Sequence, residues 1–137
     1  MRYRPIILIT LAVLLCRCGL PDSAEYYVKA ENAEAGVYPF NLDMADSTAS
    51  YDIFLYTRVD GGRGGGLCLD VKWTSPSGKT FSETVYMNSG DSKGIKECYR
   101  SGLEPVEPGV WKLEIKPAGS LPGLRGMGVI CNRNGTR

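Results

Sequence analysis

The chain has 137 residues, 43% of them hydrophobic, with 16 Lys or Arg against 15 Asp or Glu and a formal charge of +1. That length amounts to one domain, and so even a balance of charge lacks the basic excess that nucleic acid demands. Histidine is absent, which removes the usual general base for a Ser or Cys nucleophile and the commonest transition-metal ligand.

The chain opens on Arg2 and Arg4, runs through an apolar stretch from Pro5 to Leu15, and reaches Cys16, Arg17 and Cys18 before its first acidic residue, Asp22. An apolar run this short is well under the roughly 20 residues that span a bilayer as a helix, so it reads as a secretory signal. A cysteine directly after such a run resembles the acceptor of a diacylglyceryl group in bacterial lipoproteins, where the pattern is Leu, two small residues, Cys. Cys18 has Leu15 three residues upstream and is the preferred anchor, with Cys16 as the alternative. Neither is preceded by the small residue the peptidase favours. Two acyl chains, at about 0.8 kcal/mol per buried methylene, make a stable anchor where one is marginal. The expected division is therefore a signal peptide over 1–17, a tether over 18–25, a β-sandwich domain over 26–131 and a polar tail over 132–137. Removing 17 residues from 137 leaves 120, with 13 basic against 15 acidic residues and a charge of −2. Such a product has no electrostatic attraction to anionic lipid.

The strands follow in order. Tyr26 to Ala30 reads as a first strand, and Val37 to Asp43 as a second that Pro39 confines to a sheet edge. From Ser50, the residues Tyr51, Ile53, Leu55, Thr57 and Val59 share one face, with Asp52, Phe54, Tyr56 and Arg58 on the other. A glycine-rich run, Gly61 to Gly66, interrupts, after which Leu67, Leu69, Val71 and Trp73 alternate with Cys68, Asp70 and Lys72. Two such strands around a glycine loop predict a hairpin, and the turn Ser75-Pro76-Ser77-Gly78-Lys79 extends it to a three-stranded meander through Thr80 to Asn88. Phe81, Val85 and Met87 face one way in that third strand, where Glu83 interrupts them. Ser89 to Val106 reads as a loop crossing between sheets. Trp111, Leu113 and Ile115 against Lys112, Glu114 and Lys116 make the cleanest amphipathic strand, and a last one covers about Leu124 to Cys131. No apolar stripe of helical period persists, and the fold class is all-β: a single sandwich of about seven antiparallel strands after the signal segment.

Chemistry-bearing groups are few. Cys68, Cys98 and Cys131 allow at most one bridge among themselves, match no zinc spacing and read as small apolar residues. No metal and no cofactor is expected. A carboxylate pair alone can cleave glycosides, but the plainer reading of the acidic residues is solvated surface. The glycine run lacks the Gly-Lys-Ser/Thr and the following helix of a phosphate loop, and reads as a flexible hairpin tip, with a partner contact through Arg63 as the alternative. Trp73 and Trp111 read as core neighbours before they read as a sugar-stacking platform. Phe54 and Tyr56, beside Arg58, form a partner surface unless Tyr26, Tyr27, Tyr38 and Phe40 cover them.

The block Tyr51-Asp52-Ile53-Phe54-Leu55, the segment WTSPSGKT from Trp73 to Thr80, and Pro108-Gly109-Val110-Trp111-Lys112-Leu113 together resemble the GldH family of gliding-motility lipoproteins of Bacteroidetes, across nearly the whole mature chain. The resemblance implies a lipoprotein of the inner or outer membrane facing the periplasm, tied to the gliding machinery and its linked secretion apparatus, without enzymatic activity or cofactor. This chain departs from the family at the lipidation signal and in the glycine loop. The same phylum attaches O-glycans at Asp-Ser/Thr before a small residue, which Asp22-Ser23-Ala24 and Asp46-Ser47-Thr48 resemble; intact mass without hexose increments would remove that expectation at Ser23 and Ser47. The sequence thus predicts a non-catalytic envelope adaptor with membrane and protein partners, no nucleic acid and no small-molecule substrate. The alternative is a surface carbohydrate-binding sandwich.

Overall fold

A computed structural model describes residues 22–61, 65–88 and 96–135. The described residues form eight strands, most of them on an alternation of apolar and polar side chains: β1 (Ser23–Lys29), β2 (Tyr38–Met44), β3 (Ser50–Val59), β4 (Gly66–Thr74), β5 (Thr80–Asn88), β6 (Lys96–Leu103), β7 (Gly109–Pro117) and β8 (Leu124–Asn134). They build two antiparallel four-stranded sheets, β1-β8-β3-β6 and β2-β7-β4-β5, packed as a sandwich. No α-helix occurs among the described residues, and none of their helices is long and apolar enough to cross a membrane.

The inward rows close the core. In β2 the burial alternates strictly, so Tyr38, Phe40, Leu42 and Met44 point in while Pro39, Asn41 and Asp43 point out. Ile53, Leu55, Leu69, Leu113, Ile115, Met127 and Val129 are all but sealed from water, each stabilising the fold by about 1.5–3 kcal/mol relative to exposure. Pro39 sits on the outermost strand of its sheet, as its missing N–H requires.

Three expectations change. The strand from Ser50 does not form a hairpin with the one from Gly66, because β3 is already flanked by β8 and β6 and has no free edge to offer. β3 and β4 instead lie in different sheets, and the expected meander reduces to the β4–β5 hairpin. There Gly78, at φ 93°, donates to the Ser75 carbonyl at 2.9 Å and turns the chain. The region read as one loop from Ser89 to Val106 contains β6, which raises the strand number from about seven to eight. As an edge strand covered on one side only, β6 shows no clean alternation of burial, and its ladder with β3 is broken by two register shifts.

The strands also overrun the expected bounds. β1 begins at Ser23, within the stretch read as tether, and β8 continues to Asn134, within the stretch read as tail. Both extensions exist because the first and last strands pair with each other, from Ser23 opposite Asn132 to Lys29 opposite Gly126. Arg133 fastens that corner: its guanidinium reaches Asp22 at 3.2 Å and Asp46 at 3.3 Å, and its N–H donates to the Asp22 carbonyl at 2.6 Å.

Candidate functional site

The outward face of β3 was the expected partner surface, and the structure covers most of it. Tyr56 is buried and stacks on Tyr27 at 6.1 Å, 11° from coplanar, while its hydroxyl donates to Glu25 at 2.6 Å. Its ring lies flat on Gly128 of the neighbouring β8, where any Cβ would fall inside it. Gly126 likewise leaves room for Tyr27, and a Cβ there would stand 2.6 Å from the Val28 carbonyl oxygen. Burial, and then the Glu25 carboxylate, push the Tyr56 phenol up to about 12. Phe54 is half-buried with the Lys96 ammonium 4.4 Å over its ring, and Arg58 lies 5.3 Å over Tyr27. Of the four aromatics proposed to cover this face, Tyr27 does so; Tyr38 and Phe40 are core residues and Tyr26 packs against the core. Cys16, Cys18 and Arg63 lie outside the described residues.

The carboxylates with displaced pKa values serve the fold. Asp52 accepts from the Asn134 amide at 2.9 Å, the Gly102 N–H at 2.7 Å and Ser101, and the first of these does most to hold it below the ordinary carboxylate range. Asp46 is lowered chiefly by the Thr48 hydroxyl, Glu107 by Ser77 and Glu114 by Lys112. A glycosidase acid needs the opposite displacement. Among the described residues no group of three His, Cys, Asp or Glu is placed to hold a metal. Cys68, Cys98 and Cys131 are free thiols, and burial, then Asp43, push Cys131 up to about 11, leaving it little thiolate at neutral pH. Ser47 is exposed in the Asp46–Ala49 turn, but Ser23 is strand, not loop, and donates to Asn132 at 2.7 Å.

Where the two sheets meet beside β5 and β6, sequence reasoning missed a polar cluster. The Trp73 indole N–H donates to the Tyr99 hydroxyl at 3.0 Å, Tyr99 donates to Glu83, and Arg100 pairs with Glu83 at 2.6 Å. Tyr99 stacks on Trp73 at 6.2 Å and Arg100 lies 5.0 Å over the Tyr99 ring. Burial, then Glu83, raise Tyr99 to about 12. The available signal was Glu83 itself, a charge on an otherwise apolar strand face. Trp73 and Trp111 meet edge to face at 6.2 Å, as expected of core neighbours; Trp73 is 6% exposed and Trp111 half-buried, its N–H given to the Glu107 carbonyl at 2.9 Å.

Beside this cluster a cavity of about 400 Å³ opens between the sheets, lined mostly by apolar side chains, Met44, Trp73, Phe81, Leu103, Val106 and Trp111 among them, together with Arg100 and Glu104. The strand bordering it is also the least protected edge. β2 carries Pro39, β6 carries Lys96, Arg100 and its register shifts, and β1 ends in Lys29. β5 has no proline, no lysine or arginine and an unbroken register with β4, and it exposes Tyr86 by 80% and Phe81 by 54%. Sheets ordinarily blunt such edges, and an unblunted one accepts another strand.

Set against known proteins, the chain matches no family model, no curated protein and no solved structure.

Proposed function

We propose that the protein is a non-catalytic lipoprotein of the bacterial envelope, held by a lipidated Cys18 or Cys16 to the inner or outer membrane with its sandwich in the periplasm, and that it acts as an adaptor in an assembly of the gliding and secretion type. The signal segment and the resemblance to the GldH family support the anchor and the setting. The observation that carries the adaptor role is the β5 edge, nine residues long, whose last residue, Asn88, gives its N–H to Glu97, and which is uncharged except for Glu83, whose charge is already engaged by Arg100. An extended segment of a partner added there gains main-chain hydrogen bonds without disturbing the core. The sugar-binding alternative draws less support, because Trp73 presents no open ring face and both indole N–H groups are engaged.

The test is complementation. In a deletion strain scored for motility, secretion and envelope integrity, the wild-type gene restores the lost trait and Tyr86→Lys does not. Tyr86 is exposed, so the variant folds, while a lysine on a sheet edge opposes strand addition. A Tyr86→Lys variant as competent as the parent would remove β5 from the proposal, and a deletion without any envelope phenotype would remove the adaptor role.

A further inference from the structure

The two ends of the sandwich differ, and on the anchored reading the start of β1 sets which of them faces the membrane. Ser23 pairs with Asn132, Asp52 with Asn132, Ser50 with Asn134 and Tyr51 with Leu103, so the start of β1 lies at the same end of its sheet as the start of β3 and the end of β6. In the other sheet Met44 faces Gly109, Leu42 faces Trp111, and Trp73 faces Phe81. The connections over 45–49 and 104–108 join these two sets of strand ends. The cavity walled by Met44, Trp73, Phe81, Leu103, Val106 and Trp111 therefore opens at the end where the anchored chain joins the domain.

The reach of the anchor is short. From Cys18 to Ser23 there are five residue steps, which extend to roughly 18 Å at most, and Arg133 already ties Asp22 to the sandwich. β1 and β6 lie three strand spacings apart, roughly 14 Å, so the whole end stays within reach of the bilayer. Its apolar side chains are left out of the core: Val106 is 88% exposed, Phe81 54% and Val110 53%. The charges around them are mixed, Arg100 with Glu83, Lys79 beside Glu107, and Glu104 in the cavity lining, so nothing there selects an anionic surface. A mostly apolar cavity of this size suits a hydrocarbon ligand.

We propose that this cavity takes an acyl chain of the bilayer in which the protein is anchored, with Val106 and Phe81 at the point of contact. The inference rests on the anchored reading given above. The acyl chain covers the exposed rim and leaves the indole N–H groups on their internal partners, so the domain stands with β5 presented sideways along the membrane surface.

The two tryptophans of the chain are both in the cavity wall, which makes intrinsic fluorescence a reporter of this site alone. The full protein, processed in its own host and purified from membranes, is reconstituted into phosphatidylcholine vesicles whose acyl chains are either plain or brominated. Flotation reads the anchor and emission reads the cavity. The expected result is flotation in both, with brominated chains quenching the emission relative to plain ones, and with Val106→Asp floating equally but losing most of the quenching. Flotation without quenching overturns the inference and leaves the anchored reading standing. Equal quenching of Val106→Asp also overturns it. Protein that fails to float overturns the anchored reading and this inference with it.

Discussion

Replacing Tyr99 by Phe removes one hydroxyl at the centre of the Trp73–Glu83–Arg100 cluster and tests whether that cluster holds the two sheets together. The indole N–H of Trp73, 6% exposed, loses its acceptor at 3.0 Å, and leaving a buried donor unpaired costs about 1–3 kcal/mol. Glu83 keeps Arg100 at 2.6 Å, and the ring stack at 6.2 Å survives with its contribution of about 0.5–1.5 kcal/mol. The expected loss is therefore about 1–3 kcal/mol, a sizeable part of the 5–15 kcal/mol typical of a domain. Urea unfolding followed by tryptophan emission reads it as a lower midpoint at unchanged slope. Trp73→Phe combined with Tyr99→Phe should lose less than the sum of the two single variants, since the second change removes a group already orphaned by the first. A Tyr99→Phe variant within about 0.5 kcal/mol of the parent, or a strictly additive pair, would refute this account of the bond.

Two further predictions concern stability. Thr57 is sealed in the core with a hydroxyl that has no hydrogen-bond partner, so Thr57→Val should raise stability by about 1 kcal/mol in the same urea experiment; a loss would mean that the hydroxyl is satisfied after all. Tyr56, Tyr99 and Cys131 are raised to about 12, 12 and 11 from ordinary values of 10.0, 10.0 and 9.0. Their protonated forms are favoured by folding, so the stability they contribute is complete below about pH 9 and is lost as pH climbs towards about 12; urea midpoints that stay flat across that window would contradict the assignment.

The fold class and most strands were legible because β3, β4 and β7 alternate cleanly, and alternation is what a half-buried strand imposes on a sequence. Alternation reports which face a residue takes and says nothing of which strand lies alongside, so Ser50–Val59 and Gly66–Thr74 read as hairpin partners while the structure sends them to different sheets. β6 was hidden because an edge strand needs only partial burial, and the polar series Lys96, Glu97, Tyr99, Arg100 and Ser101 looks like loop. Whether Tyr56 is covered was not legible from its position alone. Its cover depends on Gly126 and Gly128, far along the chain, whose missing side chains make a flat bed for aromatic rings, and that dependence appears only when β1, β8 and β3 are set side by side. Of the surface expected from sequence, Arg58 remains exposed and Phe54 half-covered. The β5 edge and the cavity beside Trp73 and Trp111 were not anticipated, since each is defined by which neighbours are missing.

The pairing of β1 with β8, and of β8 with β3, has a consequence for the order in which such a chain folds. Two of the four strands in that sheet, β1 and β3, wait for a neighbour that is made last, so this layer closes only once the final segment is available. Long-range pairing of this kind is slow to form. The opening strand therefore stays without its only ladder until the closing strand arrives and clips it to the rest of the sheet.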